Sequence, residues 1–152
     1  MDLKDRELLR LLSQDARSSW SKLAEQVHLS ASACQRRVEA LIKDKVINHF
    51  TVALNDRAVG NTVKAFISVN VTRGDTRQAE RFRQQISLHP QVQSAHMISG
   101  PIDFMLEVVA EDIAGLSRFL EDDLLNMEGV RDATSSIVLR VIKPHSPVTE
   151  VA

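Results

Sequence analysis

The hydrophobic period of this chain changes once along its length, and that change constrains its fold more than any other feature. Up to residue 43 the apolar residues recur at helical spacing. From residue 63 the run VKAFISVNV alternates instead, which places Val63, Ala65, Ile67, Val69 and Val71 on one face of a strand. Between the two, VINHFTVAL carries β-branched and aromatic residues without a helical stripe, so it reads as extended up to a polar turn at Asn55–Asp56. Two periods imply two cores. We therefore expect a helical domain at 1–45, an extended linker at 46–61, a sheet domain at 62–143 and a tail at 144–152 set off by Pro144 and Pro147.

In the helical part, a first helix opens at Asp2 with Leu8, Leu9 and Leu12 inward, and Asp15-Ala-Arg breaks it. Residues 18–43 then form two short amphipathic helices. Ser19 caps the first, which buries Leu23, Ala24 and Val27; Ser30 caps the second, which buries Cys34, Val38, Leu41 and Ile42. Leu9, Leu12, Leu23, Val27, Val38 and Leu41 are the expected core, with Trp20 partly buried where its helix starts. Ser32, Gln35, Arg36, Glu39 and Lys43 then face outward, with Ala33 and Arg37 on the flank. Small residues in a first turn followed by Gln and Arg suit a helix that approaches base edges and donates hydrogen bonds there. With Ser21, Lys22 and Ser30 they make up the candidate DNA-binding set. The period alone equally admits a plain helical hairpin with solvated arginines.

The second part reads βαββαβ. Asp75 and Gln78 form a capping box for a helix whose inner face is Ala79, Phe82 and Ile86, and His89-Pro90 ends it. VQSAHMI and FMLEVVA are strands joined by SGPID. Asp112 caps a second helix with Ile113, Leu116, Leu120 and Leu124 inward, and Met127-Glu128-Gly129 turns into a last strand from Val130 to Ile142. Right-handed crossovers convert that order into an antiparallel sheet with both helices on one face. The expected fold class is α+β: an N-terminal three-helix, winged-type helix-turn-helix domain followed by a ferredoxin-like sheet domain. Phe66, Met97, Met105, Val109 and Val138 are left over on the uncovered face, which calls for a partner, most simply the same sheet of another copy.

Charge bears on assembly. The net charge is −1 at pH 7; residues 1–60 hold ten Lys/Arg against eight Asp/Glu, and the remainder is acidic. One copy would hold phosphates weakly, so DNA binding by such a chain implies several copies. No apolar run approaches the roughly 18 residues that span a bilayer, and the MDLKDRELLRLL start is too charged for a signal peptide, so we expect a cytoplasmic protein with no membrane partner. Cys34, the single cysteine, reads as a small core residue. The histidines lack metal-ligand spacing, and CxxC, HExxH, GxSxG and phosphate-loop patterns are absent, so no metal, cofactor or catalytic residue is expected. Glu121-Asp122-Asp123 reads as a solvated face.

One connection carries binding chemistry. In Ser99-Gly100-Pro101-Ile102-Asp103, Gly100 permits unusual backbone angles and Pro101 stiffens the turn while removing a donor. Asp103 could meet the ammonium of an amino acid while nearby amides meet its carboxylate. The same pattern also fits an ordinary hairpin in which Asp103 accepts local backbone bonds.

The wording LSxSxCxxRVxxL, here Leu29, Ser30, Ser32, Cys34, Arg37, Val38 and Leu41 behind a helix of LAEQV type, resembles the helix-turn-helix of the Lrp/AsnC family of bacterial and archaeal regulators. Members usually carry a Gly after the recognition helix; this chain has Asp44 and Lys45, and its Lys43 and Lys45 suit a helix C-terminus. The family's effector hairpin, often Gly-Asp-x-Asp-aromatic, is matched by Gly100, Asp103 and Phe104, with Pro101 in place of the first acid. Its Thr-x-Thr positions fall on Ala133 and Ser135.

The resemblance implies a sequence-specific regulator of transcription that binds double-stranded DNA, with Gln35, Arg36 and Arg37 at bases or phosphates and readers about 34 Å apart on a near-palindromic site. It further implies a linker strand paired with its twin across a homodimer and dimers assembled into an octamer. An amino-acid effector would lie in an interface cleft at Ser99, Gly100, Ile102, Asp103, Phe104 and Ser135. Sirohaem decarboxylases resemble the same family in both halves. That enzyme reading needs His and Arg around a tetrapyrrole, for which His96 is the candidate. A ligand-sensing partner protein without DNA contact is the third reading.

Overall fold

The computed structural model of the chain describes residues 1–72 and 76–144. These fall into two compact units, one formed by Met1–Ala53 and the other by Leu54–Ile142. The boundary lies inside the segment read as a linker.

The first unit contains α1 (Leu3–Gln14), α2 (Trp20–Val27) and α3 (Ala31–Lys43). Each begins at a side-chain cap. Asp2 and Asp5 form a reciprocal capping box, Ser19 accepts from the Lys22 amide, and Ser30 from the Ala33 amide. The core joins Leu8, Leu11 and Leu12 to Leu23, Ala24, Val27, Cys34 and Val38, with Leu29, Ala31 and Ile47 packed against it. Two expectations need correction. Leu9 is only half-buried and Leu11 takes its place, while Ile42 is 42% exposed because the inward stripe of α3 narrows to Cys34, Val38 and Leu41.

Helix α3 ends where a Gly was expected. Lys45 adopts the left-handed conformation at φ 56°. The Val46 amide donates to the Leu41 carbonyl at 2.9 Å and the Lys45 amide to the Ile42 carbonyl at 3.0 Å, the paired bonds of a Schellman ending. His28 plays the same part after α2, at φ 55°, with its amide and that of Leu29 donating to the Ala24 carbonyl. Residues 46–53 form no strand, although the sequence reads as extended there.

In the second unit, Asn55 caps a 3-10 turn at Asp56–Val59, which occupies the later part of the expected linker. The sheet consists of β1 (Val63–Val71), β2 (Val92–Met97), β3 (Phe104–Ala110) and β4 (Val130–Ile137), antiparallel in the order β2-β3-β1-β4. Helix α4 (Thr76–Leu88) and helix α5 (Ile113–Arg118) cover one face, and α5 runs on into a π-helical turn, Phe119–Leu124. Ala65, Ile67 and Val69 of β1 meet Phe82 and Ile86 of α4 and Leu116, Phe119 and Leu124 beyond β3 in one core.

Three readings shift here. Ile113, at the first position of α5, is 57% exposed, and Phe119, three residues after Leu116, is fully buried; the wider π turn then keeps Leu124, five residues further on, at the same core. Strand β4 stops at Ile137 rather than Ile142. Met97 pairs with Phe104 and so points to the helix side, and Val109 is 5% exposed; the uncovered face carries Phe66 and Met105 among Lys64, Ser68, Ser94, His96 and Glu107, more polar than expected. The Asp75 capping box lies outside the described residues, and so does the tail beyond Pro144. No helix among the described residues is long and apolar enough to cross a membrane.

Candidate DNA interface and effector hairpin

Helix α3 presents its surface in the order that the sequence suggested. Ser32, Gln35 and Arg36 are exposed and Ala33 is half-buried beside them. The Gln35 amide nitrogen donates to Glu39 Oε1 at 2.8 Å, one turn further along. Ser30 Oγ is engaged by the Ala33 amide and lies 3.2 Å from Ser32 Oγ, so both hydroxyls stand at the helix N-terminus. Four backbone N–H groups and the positive end of the helix dipole gather at such a terminus. Ser21 and Lys22 are exposed in the first turn of α2, and Lys22 Nζ pairs with Asp15 at 3.3 Å. Cys34 is buried beneath this surface, and burial pushes its thiol up, away from reactivity.

Arg37, on the flank of α3, is engaged within the unit. Its Nη1 lies 2.8 Å from Asp2 Oδ2 and 2.8 Å from Asp5 Oδ1, so the guanidinium is turned back onto the first turn of α1. The Asp5 amide, and then the Arg37 guanidinium, hold the Asp2 carboxyl below its usual range. The reason is geometric: the flank of α3 faces the N-terminus of α1, where the two acids of the capping box already stand. Among the described residues Arg36 makes no ion pair.

In the second unit, the hairpin between β2 and β3 lies beside an open depression of about 360 Å³. Ser99, Asp103 and Phe104 line it, as the sequence suggested. Val71, Ala79, Arg83, Met97 and Ile98 complete the lining and were not foreseen; they come from β1, α4 and the end of β2, and the alternation that carried Met97 to this side was the available signal. Gly100 takes φ 142°, a region that favours glycine. Gly100 and Ile102 do not line the depression, and neither does Ser135, which sits on β4 opposite Ile67 with β1 between it and β3.

Asp103 is a structural hub. Its carboxylate accepts from the Val71 amide at 3.0 Å, its amide donates to the Val69 carbonyl at 3.1 Å, and its carbonyl accepts from the Ile98 amide at 3.1 Å. The carboxylate thus fixes the hairpin to the end of β1 whatever else it meets. Arg83, on the rim, is paired with Glu80 through 2.6 Å and 3.0 Å contacts.

A second opening of about 440 Å³ lies at the far end of the sheet, lined by residues of 55–64 and 138–141. Lys64 stands there 3.0 Å from both Asp56 and Glu107, and the Lys64 ammonium holds the Asp56 carboxyl down. Among the described residues of this unit, His89 and His96 do not converge. His96 is exposed on the uncovered face, whereas His89 packs edge-on against Phe119 on the helix side at 4.8 Å. Among the described residues no group of three or more His, Cys, Asp or Glu could hold a metal ion.

Known proteins match this arrangement along nearly its whole length. Residues 1–42 match the AsnC-type helix-turn-helix domain and residues 64–148 the Lrp/AsnC ligand binding domain. The Bkd operon transcriptional regulator of Pseudomonas aeruginosa is 32% identical over 142 residues, covering 93% of each chain. The leucine-responsive regulatory protein of Rhizobium meliloti is 33% identical over 143 residues, covering 94% of this chain and 92% of that one. Among solved structures, a transcriptional regulator from Neisseria meningitidis in complex with L-methionine superposes with a TM-score of 0.91 at 32% identity, over 96% of this chain and 94% of that one. With a capped helix pair that exposes Gln35 and Arg36, and a βαββαβ unit whose hairpin turns on Gly100 and Asp103, the chain belongs to the Lrp/AsnC family of DNA-binding transcriptional regulators.

Proposed function

We propose that α3 enters the major groove, with Gln35 and Arg36 at base edges or phosphates, Ser32 and Ala33 allowing close approach, and Ser21, Lys22 and Ser30 at the flanking phosphates. The observation that carries this reading is the exposed, outward surface of α3, with Arg36 solvent-facing on a helix fixed at both ends. The charge of one copy is small, so two or more copies act together, as a homodimer assembling to an octamer in the cytoplasm. The exposed apolar residues Val46, Phe50 and Val52 are the strand awaiting its twin from the partner copy.

The depression beside the hairpin receives an amino acid. A volume of about 360 Å³ suits a small ligand, and Met97, Phe104 and Val71 offer an apolar wall for its side chain. Ser99 and Asp103, both on the wall of the depression, would hold the carboxylate and the ammonium. Binding alters regulation by favouring one assembly over another, since equal affinity for both would shift nothing.

The test uses the full chain and a duplex that it selects from a random pool. Arg36→Ala is expected to weaken binding by about tenfold or more and to lower the salt slope by about one unit. Undiminished affinity removes α3 as the reader. A thermal-shift screen of the twenty amino acids is expected to raise the melting temperature with those bearing an aliphatic or thioether side chain. A flat screen removes the effector reading.

A further inference from the structure

Arg37 is the basic residue on α3 that the DNA-reading set would naturally include, yet its surroundings give it different work. Its guanidinium lies 2.8 Å from Asp2 and 2.8 Å from Asp5. The Asp5 side chain is only 15% exposed and that of Arg37 33%, so this pair is better shielded than most surface ion pairs. Both acids are already fixed. Asp2 Oδ1 accepts from the Asp5 amide at 2.9 Å and Asp5 Oδ2 from the Asp2 amide at 2.8 Å, leaving the other oxygen of each aimed at Arg37. A rigid pair of acceptors on one helix therefore holds a cation on another.

The placement matters because of what shares the helix. Arg37 immediately follows Gln35 and Arg36, and it links α3 to α1 by polar bonds beside the apolar packing around Cys34 and Val38. Apolar contacts resist separation of two helices but resist rolling poorly, since they are not directional. A charge-assisted bond to two fixed carboxylates is directional. A small roll of α3 would move side chains at its surface relative to base edges, where hydrogen-bond geometry is strict.

We propose that Arg37 is a positioning residue for DNA recognition: clamped by Asp2 and Asp5, it sets the roll of α3 and thereby the discrimination between specific and random DNA, without touching DNA itself. The inference rests on α3 being the reader. It makes an unusual prediction about sign. Removing two acids from a DNA-binding surface should ordinarily strengthen binding, by relieving repulsion and releasing an arginine. With the clamp at work, the same change weakens specific binding.

The experiment compares wild type, Arg36→Ala, Arg37→Ala and the double variant Asp2→Asn with Asp5→Asn. Asn caps a helix as well as Asp does, so the double variant keeps the cap while losing the charges. Binding is measured to the duplex selected by the wild-type chain and to random-sequence duplex, over a range of salt and well below each variant's melting temperature. The double variant is expected to lose at least about tenfold in the specific-to-random affinity ratio, the scale of one mismatched base pair. Arg37→Ala is expected to lose a similar ratio with a salt slope equal to wild type. The proposal is overturned if the double variant binds the selected duplex as tightly as wild type or more tightly, or if Arg37→Ala lowers the slope by about one, the mark of a lost phosphate contact. Arg36→Ala separates the two levels: normal binding there refutes α3 as reader, whereas weakened binding there with an unaltered double variant refutes the clamp alone.

Discussion

In Met1–Ala53 three short helices close around Leu8, Leu23, Val27 and Val38, while in Leu54–Ile142 a sheet and two helices close around a core in which Phe82 and Phe104 stand 4.9 Å apart. The first unit is small enough that its surface outweighs its core, and it compensates at its ends with a capping box, two serine caps, two left-handed turns and the Arg37 clamp. The second relies on burial at its centre. Its directional devices are set around that centre, among them Asp103, which ties the hairpin to β1. The difference teaches where each function can be altered. With α3 as the proposed reader, its placement depends on directional bonds at helix ends, and that of the hairpin on the core behind it.

The comparison is most easily broken at Phe82. It is fully buried and forms a tilted pair with Phe104, which lines the depression. Phe82→Ala is expected to cost about 3–5 kcal/mol, read as a lower urea midpoint, and to abolish any amino-acid-induced thermal shift. DNA binding by the first unit should suffer less at temperatures where the second stays folded. A loss of under about 1 kcal/mol would show that the second unit is not governed by its centre.

Asp103 offers a finer cut. Asp103→Ala leaves the Val71 amide without its acceptor and is expected to destabilise by about 1–3 kcal/mol in denaturant unfolding. Asp103→Asn keeps an oxygen acceptor and loses the charge. It should retain most of the stability but not the thermal response to an amino acid. If both variants respond normally, the carboxylate serves the hairpin only, and the ligand lies elsewhere.

The turns of the first unit give a smaller effect of opposite sign. Lys45 at φ 56° and His28 at φ 55° hold a conformation that costs a side-chain-bearing residue roughly 1 kcal/mol more than glycine. Lys45→Gly and His28→Gly are each expected to raise the stability by somewhat under that amount, read as a higher urea midpoint, since glycine also loses more freedom on folding. A fall in the midpoint would mean that side-chain contacts at these turns outweigh the strain.

These same residues show what the sequence revealed and what it could not. Strands β1 and β3 were readable to the residue because an alternation from Val63 to Val71, and a dense apolar run from Phe104 to Ala110, leave few choices of face. Ser19, Ser30 and Asp112 announced their helices as caps. That Phe119 and Leu124, five residues apart, share one core was hidden because a π turn breaks the helical period that the reading assumed. The end of α3 was legible only as a missing glycine; which residue would take the left-handed turn was not. The pairing of Arg37 was not legible for a different reason. Its partners lie 35 and 32 residues away, and periodicity assigns a residue to a flank without saying what stands opposite. The lining of the depression by Arg83, Ala79 and Met97 is a tertiary fact of the same kind.

Acid offers the gentlest probe of the contrast between ends and centre. The Asp5 amide and the Arg37 guanidinium both favour the charged form of Asp2, which lowers its pKa from the ordinary 3.8. A carboxyl whose folded pKa is lowered adds stability above its unfolded pKa, and that stability is lost as pH falls through the folded value. The α1–α3 contact should therefore be unaffected between pH 7 and 5 and weaken below about pH 4. Asp15, held down first by the Ser18 hydroxyl, and Asp56, held down first by Lys64, titrate in the same direction, so the fall in melting temperature of the whole chain does not isolate the clamp. The difference between wild type and Asp2→Asn does. That variant keeps the cap and cannot titrate, so its melting temperature should lie below wild type at pH 6 and converge with it near pH 2. A gap that stays constant across the range would mean that Asp2 acts through its shape as a cap and not through its charge on Arg37.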